Sequence, residues 1–403
     1  MRKALLPLFV FCVLGLSAIA QNLSVTGDKI SLPDGDVIGA AVDADAGVFV
    51  VQQSVLSTEN GGLVFRSHRL LTSWGINSRL QMIKREFPLR PVGASTHPCG
   101  RVDVVSSLGR VYLCSSETHL DVLDLKTLHD RGIVGGGIDQ NIYDFAVDEQ
   151  RSKIFVLSLR SDMSVRLSTY AMGNGSALQE IVLSPKPWSG AKLALEPKTG
   201  QVAIADSQET GHRYASNINL CESAAALNCS PLGKIDPVSQ MTFLGRDLLF
   251  ATSDPANDKK DCIGSLDVST HVISHGYCSP STGVHFAVGV IMKRYVVGFT
   301  GTTKTHAFLE RNSSIQSSFS LWRAENPKVE AVVSDPTDYG ASQYELRIAV
   351  SRTMPMFLTY AWRSNALYLY TIKDVDSVAF SSTRPKQPCA AHCLSGEDPK
   401  RYK

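Results

Sequence analysis

Hydrophobic residues recur along this chain in a repeating unit: a short apolar triplet, a polar turn and a second apolar strand. Residues 145–157 show the unit most clearly, with Phe-Ala-Val before a polar turn and Ile-Phe-Val-Leu after it. Residues 193–204 repeat the unit at nearly the same spacing. Short runs rich in β-branched and aromatic residues, separated by turn residues, predict β-strands.

The units are spaced like the blades of a β-propeller. The last residues of seven triplets lie 43 to 62 residues apart, at Val42, Val104, Val147, Leu195, Phe243, Val288 and Val333. Second strands follow at 48–51, 111–113, 154–157, 202–204, 248–250 and 295–297. Such an interval accommodates one four-stranded blade. We therefore expect an all-β fold, a single β-propeller of seven four-stranded blades over residues 21–381, with no second domain.

The ends of the predicted propeller carry two further signals. A ring of blades leaves an open edge unless a strand closes it, and residues 23–32 read as a strand that can pair with the last blade. The first interval is the longest, and its surplus falls in residues 55–95. We expect a second insertion at 334–343 and a polar tail at 382–403.

Two predicted outer hairpins share a turn motif. Residues 120–129 and 263–272 both contain a strand that ends in Asp, followed by Thr three positions later. These pairs are Asp124 with Thr127 and Asp267 with Thr270. Short polar side chains at such positions accept hydrogen bonds from turn amides and hold a hairpin.

The turn motif resembles the outer-hairpin signature of the YVTN-type and lactonase-like, WD40-like seven-bladed propellers, in which a strand ends in an Asp-x-x-Thr turn. The resemblance covers two blades well and the others loosely. It implies a seven-bladed propeller but does not select an activity, because such propellers include enzymes, binding proteins and scaffolds.

The beginning of the chain predicts export. Arg2 and Lys3 precede an apolar run over residues 4–16, and small residues surround a cleavage site after Ala20. These features define a signal peptide over residues 1–20. The alternative is an uncleaved anchor, although the apolar run is short for a membrane span. We expect a secreted or periplasmic protein with no stable membrane span after cleavage.

Charge excludes one class of partner. The chain has 40 Lys and Arg against 38 Asp and Glu, and removal of the leader takes away two of the basic residues. A net charge near zero is not typical of a generic nucleic-acid binder, so we expect no nucleic-acid partner.

The cysteines agree with an oxidising compartment. Eight of the nine follow the leader and fall into close pairs: Cys99 with Cys114, Cys221 with Cys229, Cys262 with Cys278, and Cys389 with Cys393. We interpret these as four local disulfides, although sequence alone does not fix the connectivity. The alternative is a metal site, and the cluster that most resembles one is formed by Cys389, His392 and Cys393. Cys-x-x-Cys is absent from the sequence, and the position of this cluster in a polar tail favours a small disulfide clasp, so we expect no metal or cofactor.

One set of polar residues forms a candidate binding site. Three positions before the triplet ends, where the innermost strand of each blade begins, lie Gly39, Arg101, Asp144, Lys192, Gln240, His285 and Glu330. Equivalent positions in a propeller form a ring, so the six polar members are candidate ligand-binding residues at the channel mouth.

The functional expectation is a binding scaffold for an extracytoplasmic ligand or protein. The alternative is a lactonase-like or other hydrolytic propeller, in which Asp144, His285 and Glu330 act as metal ligands or proton-transfer groups. The nucleophile elbow Gly-x-Ser-x-Gly and the metalloprotease motif His-Glu-x-x-His are both absent from the sequence. Whether the protein is an enzyme therefore stays open at this stage.

Overall fold

The computed structural model describes residues 23–374, except for residues 34, 44–47, 60–62, 75–80, 87–89, 92–98, 115–117, 137, 139–140, 211–212, 223–225, 253–261, 280–283, 303–315, 336–345 and 362–365. The predicted signal peptide, the tail with Cys389 and Cys393, and most of the insertion at 334–343 lie outside the described residues.

The described chain is built almost entirely from antiparallel β-strands. They are β1 (Leu23–Ser31), β2 (Asp36–Asp43), β3 (Val48–Glu59), β4 (Leu63–Trp74), β5 (Gln81–Glu86), β6 (Arg90–Pro91), β7 (Val102–Val105), β8 (Arg110–Leu113), β9 (Leu120–Asp124), β10 (Asp130–Val134), β11 (Asn141–Asp148), β12 (Lys153–Leu159), β13 (Val165–Ala171), β14 (Ala177–Ser184), β15 (Gly190–Leu195), β16 (Val202–Thr210), β17 (Arg213–Glu222), β18 (Asn228–Ile235), β19 (Val238–Leu244), β20 (Asp247–Thr252), β21 (Cys262–Asp267), β22 (Val272–Cys278), β23 (Val284–Ile291), β24 (Tyr295–Thr302), β25 (Gln316–Arg323), β26 (Asn326–Asp335), β27 (Leu346–Val350), β28 (Met356–Ala361) and β29 (Ala366–Asp374).

Within the described residues these strands form seven sheets, numbered here in chain order. Sheet 1 contains β2–β6, sheet 2 β7–β10, sheet 3 β11–β14, sheet 4 β15–β18, sheet 5 β19–β22, sheet 6 β23–β26, and sheet 7 β27–β29 together with β1. Each sheet is a meander in which successive strands pair side by side, and its first strand lies innermost. Sheets 2 to 6 place their strands in chain order from the inside outwards.

The sheets are arranged as a β-propeller. Innermost strands follow one another around a common axis, as contacts of β2 with β7, β11 with β15, β15 with β19, β19 with β23, and β23 with β27 show. Apolar side chains fill the space between neighbouring sheets, for example Phe145 with Tyr112 between sheets 2 and 3, and Phe319 with Phe357 between sheets 6 and 7. The prediction of an all-β fold and a single β-propeller is confirmed.

The predicted count of seven four-stranded blades is not confirmed, because six of the described sheets have four strands and sheet 1 has five. Strands β3 and β4 of sheet 1 are each twelve residues long. Their length leaves room for two partners on β4: β5 pairs with residues 69–74, and β6 pairs with residues 65–66. The surplus sequence in 55–95 therefore lengthens this sheet.

The N-terminal strand closes the ring, as predicted. Strand β1 pairs with β29 in unbroken antiparallel register, from Leu23 opposite Asp374 to Ser31 opposite Ala366. Leu23 and Ile30 are buried in the cores on the two sides of sheet 7. The first and last parts of the described chain thus share one sheet, which protects the edge that β29 would otherwise expose.

The two aspartate turns form as the sequence predicts. The Asp124 carboxylate accepts hydrogen bonds from the backbone N–H groups of Lys126 and Thr127, at 3.0 and 2.9 Å, and from the Thr127 hydroxyl at 3.0 Å. Asp267 accepts equivalent bonds from the amides of Ser269 and Thr270. These bonds lower the pKa of both carboxyl groups, for Asp124 together with an ion pair to Arg131.

Replacement of Asp124 by alanine is expected to lower the free energy of unfolding by about 1 kcal/mol, because the amides of Lys126 and Thr127 lose their acceptor. Urea unfolding of the purified variant measures the effect. Lys126→Ala is the matched control, since its exposed side chain contributes no bond to this turn and its loss is expected to change stability by less than about 0.5 kcal/mol. Equal stabilities of the two variants would contradict this account of the turn.

Three of the four predicted disulfides are present. Cys99 is bonded to Cys114, Cys221 to Cys229, and Cys262 to Cys278. The second and third pair directly opposite each other on adjacent outer strands of sheets 4 and 5. The predicted Cys389 to Cys393 bond lies outside the described residues. Such bonds are compatible with an oxidising, extracytoplasmic location.

Across the described part of the chain, no helix has the length and apolar character that a membrane crossing requires.

Candidate functional site in the central channel

Four of the six predicted binding residues lie at corresponding places on innermost strands. Asp144, Lys192 and Gln240 are in β11, β15 and β19, where they pair with Leu157, Ala205 and Ala251 of the second strands. Arg101 directly precedes β7. The charges of Arg101, Asp144 and Lys192 act on one another although these residues belong to different sheets. The fold therefore brings their side chains together near the propeller axis.

His285 is not part of this ring. It lies in β23, but a register shift between His285 and Ala287 places Ala287 opposite Phe299 at the ring position. The His285 side chain is completely buried, with Nδ1 2.9 Å from the Thr300 hydroxyl and its ring 6.3 Å from that of Trp322. At the ring position this strand therefore has Ala287, which is completely buried in the core between sheets 6 and 7.

Glu330 is not part of the ring either, because the seventh triplet belongs to an outermost strand. Glu330 lies in β26, at the outer edge of sheet 6, where its carboxylate is 3.6 Å from Nε of Arg323. The innermost strand of the next sheet is β27, and the residue at the ring position is Arg347, opposite Tyr360. Residues 346–360 repeat the triplet, turn and second-strand pattern, so the sequence carried a signal for Arg347.

The proposed hydrolytic trio is not assembled. His285 and Glu330 lie on the innermost and outermost strands of one four-stranded sheet, which places their backbones about 14 Å apart at the usual strand spacing. Asp144 is in sheet 3. The part of the chain that the structure describes holds no cluster of three or more His, Cys, Asp or Glu side chains with metal-binding geometry.

Asp144 organises one side of the ring. Its carboxylate accepts hydrogen bonds from the Leu193 and Phe145 amides at 2.8 and 2.9 Å, and it pairs with Nη1 of Arg101 at 3.2 Å. The same Arg101 nitrogen donates to the Leu193 carbonyl at 3.0 Å. Leu193 is in sheet 4, so Arg101 of sheet 2 reaches past sheet 3. The only described carboxylate of the ring is thereby occupied by internal partners.

Gln240 makes a similar link on the other side. Its side-chain amide donates to the Ile348 carbonyl at 3.0 Å and accepts from the Ile348 amide at 3.4 Å. This bond joins sheet 5 to sheet 7 past sheet 6, where the small side chain of Ala287 leaves room. Both links satisfy backbone groups on the inner edges of strands that have no further strand to pair with.

Three cations remain on the ring: Arg101, Lys192 and Arg347. The Lys192 ammonium receives no hydrogen-bond acceptor from any residue that the structure describes. Burial and repulsion by Arg347 lower its pKa to about 8, with a smaller contribution from Arg101 that Asp144 opposes. Among the residues of the ring that the structure describes, one carboxylate stands against three cations.

Tyr360 adds a polar group beside Arg347. It lies opposite Arg347 in the register of sheet 7 and is largely buried. Burial raises the pKa of its phenol, whereas the positive charges of Arg347 and Arg101 and a bond from the Ala40 amide lower it in part. The phenol is therefore neutral at physiological pH and adds no negative charge to the ring.

Two ion pairs lie toward the other end of the propeller, where hairpins join the first and second strands of each sheet. Lys293 of sheet 6 contacts Glu196 of sheet 4 at 3.2 Å, and Arg352 of sheet 7 contacts Asp103 of sheet 2 at 2.9 Å. Each ion pair joins two sheets that are separated by one other sheet.

The sequence matches no protein-family model and no curated protein. The fold and the site therefore define the protein only by class: a disulfide-bonded β-propeller with a cationic ring in its central channel.

Proposed function

We propose that the protein is an extracytoplasmic binding propeller whose central channel holds a small anionic ligand. The observation that carries this proposal is the charge of the ring. The charges of Arg347 and Arg101 act on Lys192 from other sheets, and Asp144, the one described carboxylate of the ring, already bonds Arg101 and two backbone amides. Like charges held together in a partly buried site are costly, and a bound anion relieves that cost.

The size of the ligand follows from where the cations lie. They are at the axis, while the net charge of the whole chain is near zero. A polyanion such as nucleic acid needs an extended basic surface, whereas a compact carboxylate, phosphate or sulfate group fits between three converging cations.

We further propose that sheet 1 is the seventh blade of the ring, and that the protein is a propeller of the YVTN, WD40-like type. Contacts of β2 with β7 on one side and with β27 and β28 on the other support the blade count. The two aspartate turns support the type. The three disulfides and the predicted signal peptide support a secreted or periplasmic location.

Sulfate titration tests the proposal, because sulfate keeps two negative charges across the relevant pH range. We expect binding at pH 7 that weakens at least about tenfold at pH 9.5, since Lys192, with its pKa near 8, loses its proton over that interval. The direction follows from charge: an anion binds the ammonium better than the amine. Calorimetric titration at constant ionic strength measures the affinity.

Two variants make this test specific. Lys192→Gln is expected to bind sulfate weakly at both pH values and to be at least as stable as the wild type, because a partly buried cation is removed. Lys126→Gln, on an exposed turn, is expected to bind like the wild type. Undetectable sulfate binding, or equal binding by both variants, would overturn the proposal.

A further inference from the structure

Arg101 is held in one orientation by three neighbours. Its Nη1 donates to the Asp144 carboxylate at 3.2 Å and to the Leu193 carbonyl at 3.0 Å. Its Cζ atom lies 5.7 Å from the centre of the Phe145 ring, which covers one face of the guanidinium. Asp144 is itself fixed, because it accepts hydrogen bonds from the Phe145 and Leu193 amides. The position of the guanidinium is therefore set before any ligand binds.

These contacts leave one edge of the Arg101 guanidinium unused. A guanidinium has five N–H donors in one plane, and those on Nη1 already bond Asp144 and Leu193. No residue that the structure describes accepts a hydrogen bond from Nε or Nη2. The side chain is 31% exposed and neither of these nitrogens is a buried atom, so both are accessible to a ligand. The free edge thus presents two parallel N–H donors.

The charges around this edge favour an acid group with a single negative charge. The carboxylates of Asp144 and Asp103 attract the Arg101 guanidinium, and Asp144 is in direct contact with it. Lys192 adds one cation beside the pair, since it precedes Leu193, whose carbonyl accepts from Arg101. The positive charge of Arg101 is therefore already balanced in part, and a carboxylate suits the remainder better than a doubly charged sulfate does.

We propose that Arg101 determines the specificity of the channel, and that its Nε and Nη2 edge binds a carboxylate of the ligand through two parallel hydrogen bonds. This inference rests on the proposed function and narrows the ligand class from small anions to carboxylates. Both oxygens of a carboxylate lie in the plane of the two donors. A sulfate or sulfonate bound at the same edge has a further oxygen out of that plane. On the Phe145 side such an oxygen meets no donor, and the π-face of the ring disfavours negative charge.

Acetate and methanesulfonate test the inference, because each carries one negative charge and one methyl group but only acetate has a planar acid group. Saturation-transfer NMR on the methyl signal of each ligand measures its affinity for the full mature protein at pH 7. We expect acetate to bind at least about fivefold more tightly. Arg101→Lys keeps the charge but lacks the fork, so it is expected to weaken acetate binding at least about tenfold and methanesulfonate binding less than about threefold.

Arg131→Lys is the matched control, because it makes the same exchange at an arginine that pairs with Asp124 in an outer hairpin. It is expected to bind both ligands like the wild type. Urea unfolding shows whether Arg101→Lys is folded, and the wild-type comparison does not depend on that variant. Acetate bound no more tightly than methanesulfonate by the wild type, or an unchanged preference in folded Arg101→Lys, would overturn the carboxylate site. Sulfate bound by the wild type in either case would leave the proposed anion site standing.

Discussion

Asp144→Ala is expected to lower the free energy of unfolding by about 2–4 kcal/mol, because the side chain stabilises both a charge and the backbone. Its carboxylate is buried and bonds the Leu193 and Phe145 amides and the Arg101 guanidinium. Without it, the Leu193 amide on the inner edge of β15 loses its acceptor. The Arg101 guanidinium also loses the carboxylate to which it is bonded. Urea unfolding at pH 7 measures the loss.

Two further variants separate the loss of the negative charge from the loss of the hydrogen-bond acceptors. Asp144→Asn removes the negative charge and keeps an acceptor for only one of the two amides, which bind different carboxylate oxygens, so it is expected to lose slightly less stability than Asp144→Ala does. Removal of Arg101 and Asp144 together is expected to cost less than the sum of the single changes, since neither member of this ion pair is then left without the other. An Asp144→Ala variant within about 0.5 kcal/mol of the wild type would show that this network does not stabilise the propeller.

Gly39→Ala is expected to cost about 2–3 kcal/mol, because a side chain at this ring position meets backbone. A Cβ atom on Gly39 would lie 2.5 Å from the Gly100 carbonyl oxygen and 3.2 Å from Cγ2 of Val102. No change of rotamer relieves such a contact, so sheets 1 and 2 must move apart. The thermal and urea unfolding midpoints of the variant measure the effect.

Gly173→Ala is the matched control for that prediction. A Cβ atom there meets nothing within 4 Å, and the backbone is not in the left-handed region. This change is expected to leave stability within about 1 kcal/mol of the wild type and to raise it slightly, since alanine restricts the unfolded chain. Equal losses in the two variants would contradict close packing of sheets 1 and 2 at Gly39.

The sequence was sufficient to predict the propeller because its strands repeat at a nearly constant interval. Triplets ending at Val42, Val104, Val147, Leu195 and Phe243 all lie in innermost strands. The closing strand and the aspartate turns were predictable for the same reason, since pairing with β29 and bonding to turn amides depend on local sequence. Neither needs knowledge of distant contacts.

The binding ring was less predictable because it depends on register. The triplet ending at Val288 lies in an innermost strand, as predicted. The strand pairing shows, however, that Val290 is the residue equivalent to the triplet ends of the other sheets. The ring position, three residues earlier, is therefore Ala287 and not His285. The triplet ending at Val333 is apolar because the outermost strand β26 also packs against the core, through Ala331. Composition did not distinguish it from an innermost strand, and Arg347 was missed as a result.

These two errors changed the predicted chemistry of the channel. With His285 and Glu330 the ring has a balance of charges and a possible acid–base set. With Ala287 and Arg347 in those positions it is cationic. The sequence predicted where a site would lie, but the charge of the site followed only from the strand register.

Anomalous diffraction from crystals of the mature protein soaked in selenate, an analogue of sulfate, tests the central claim most directly. An anion held by the ring gives a selenium peak in the channel, within about 4 Å of Nζ of Lys192 and of the Arg347 guanidinium. The same peak is expected to be absent from Lys192→Gln crystals soaked in parallel. Selenium peaks confined to the outer surface of the propeller, with none on the axis, would contradict the account.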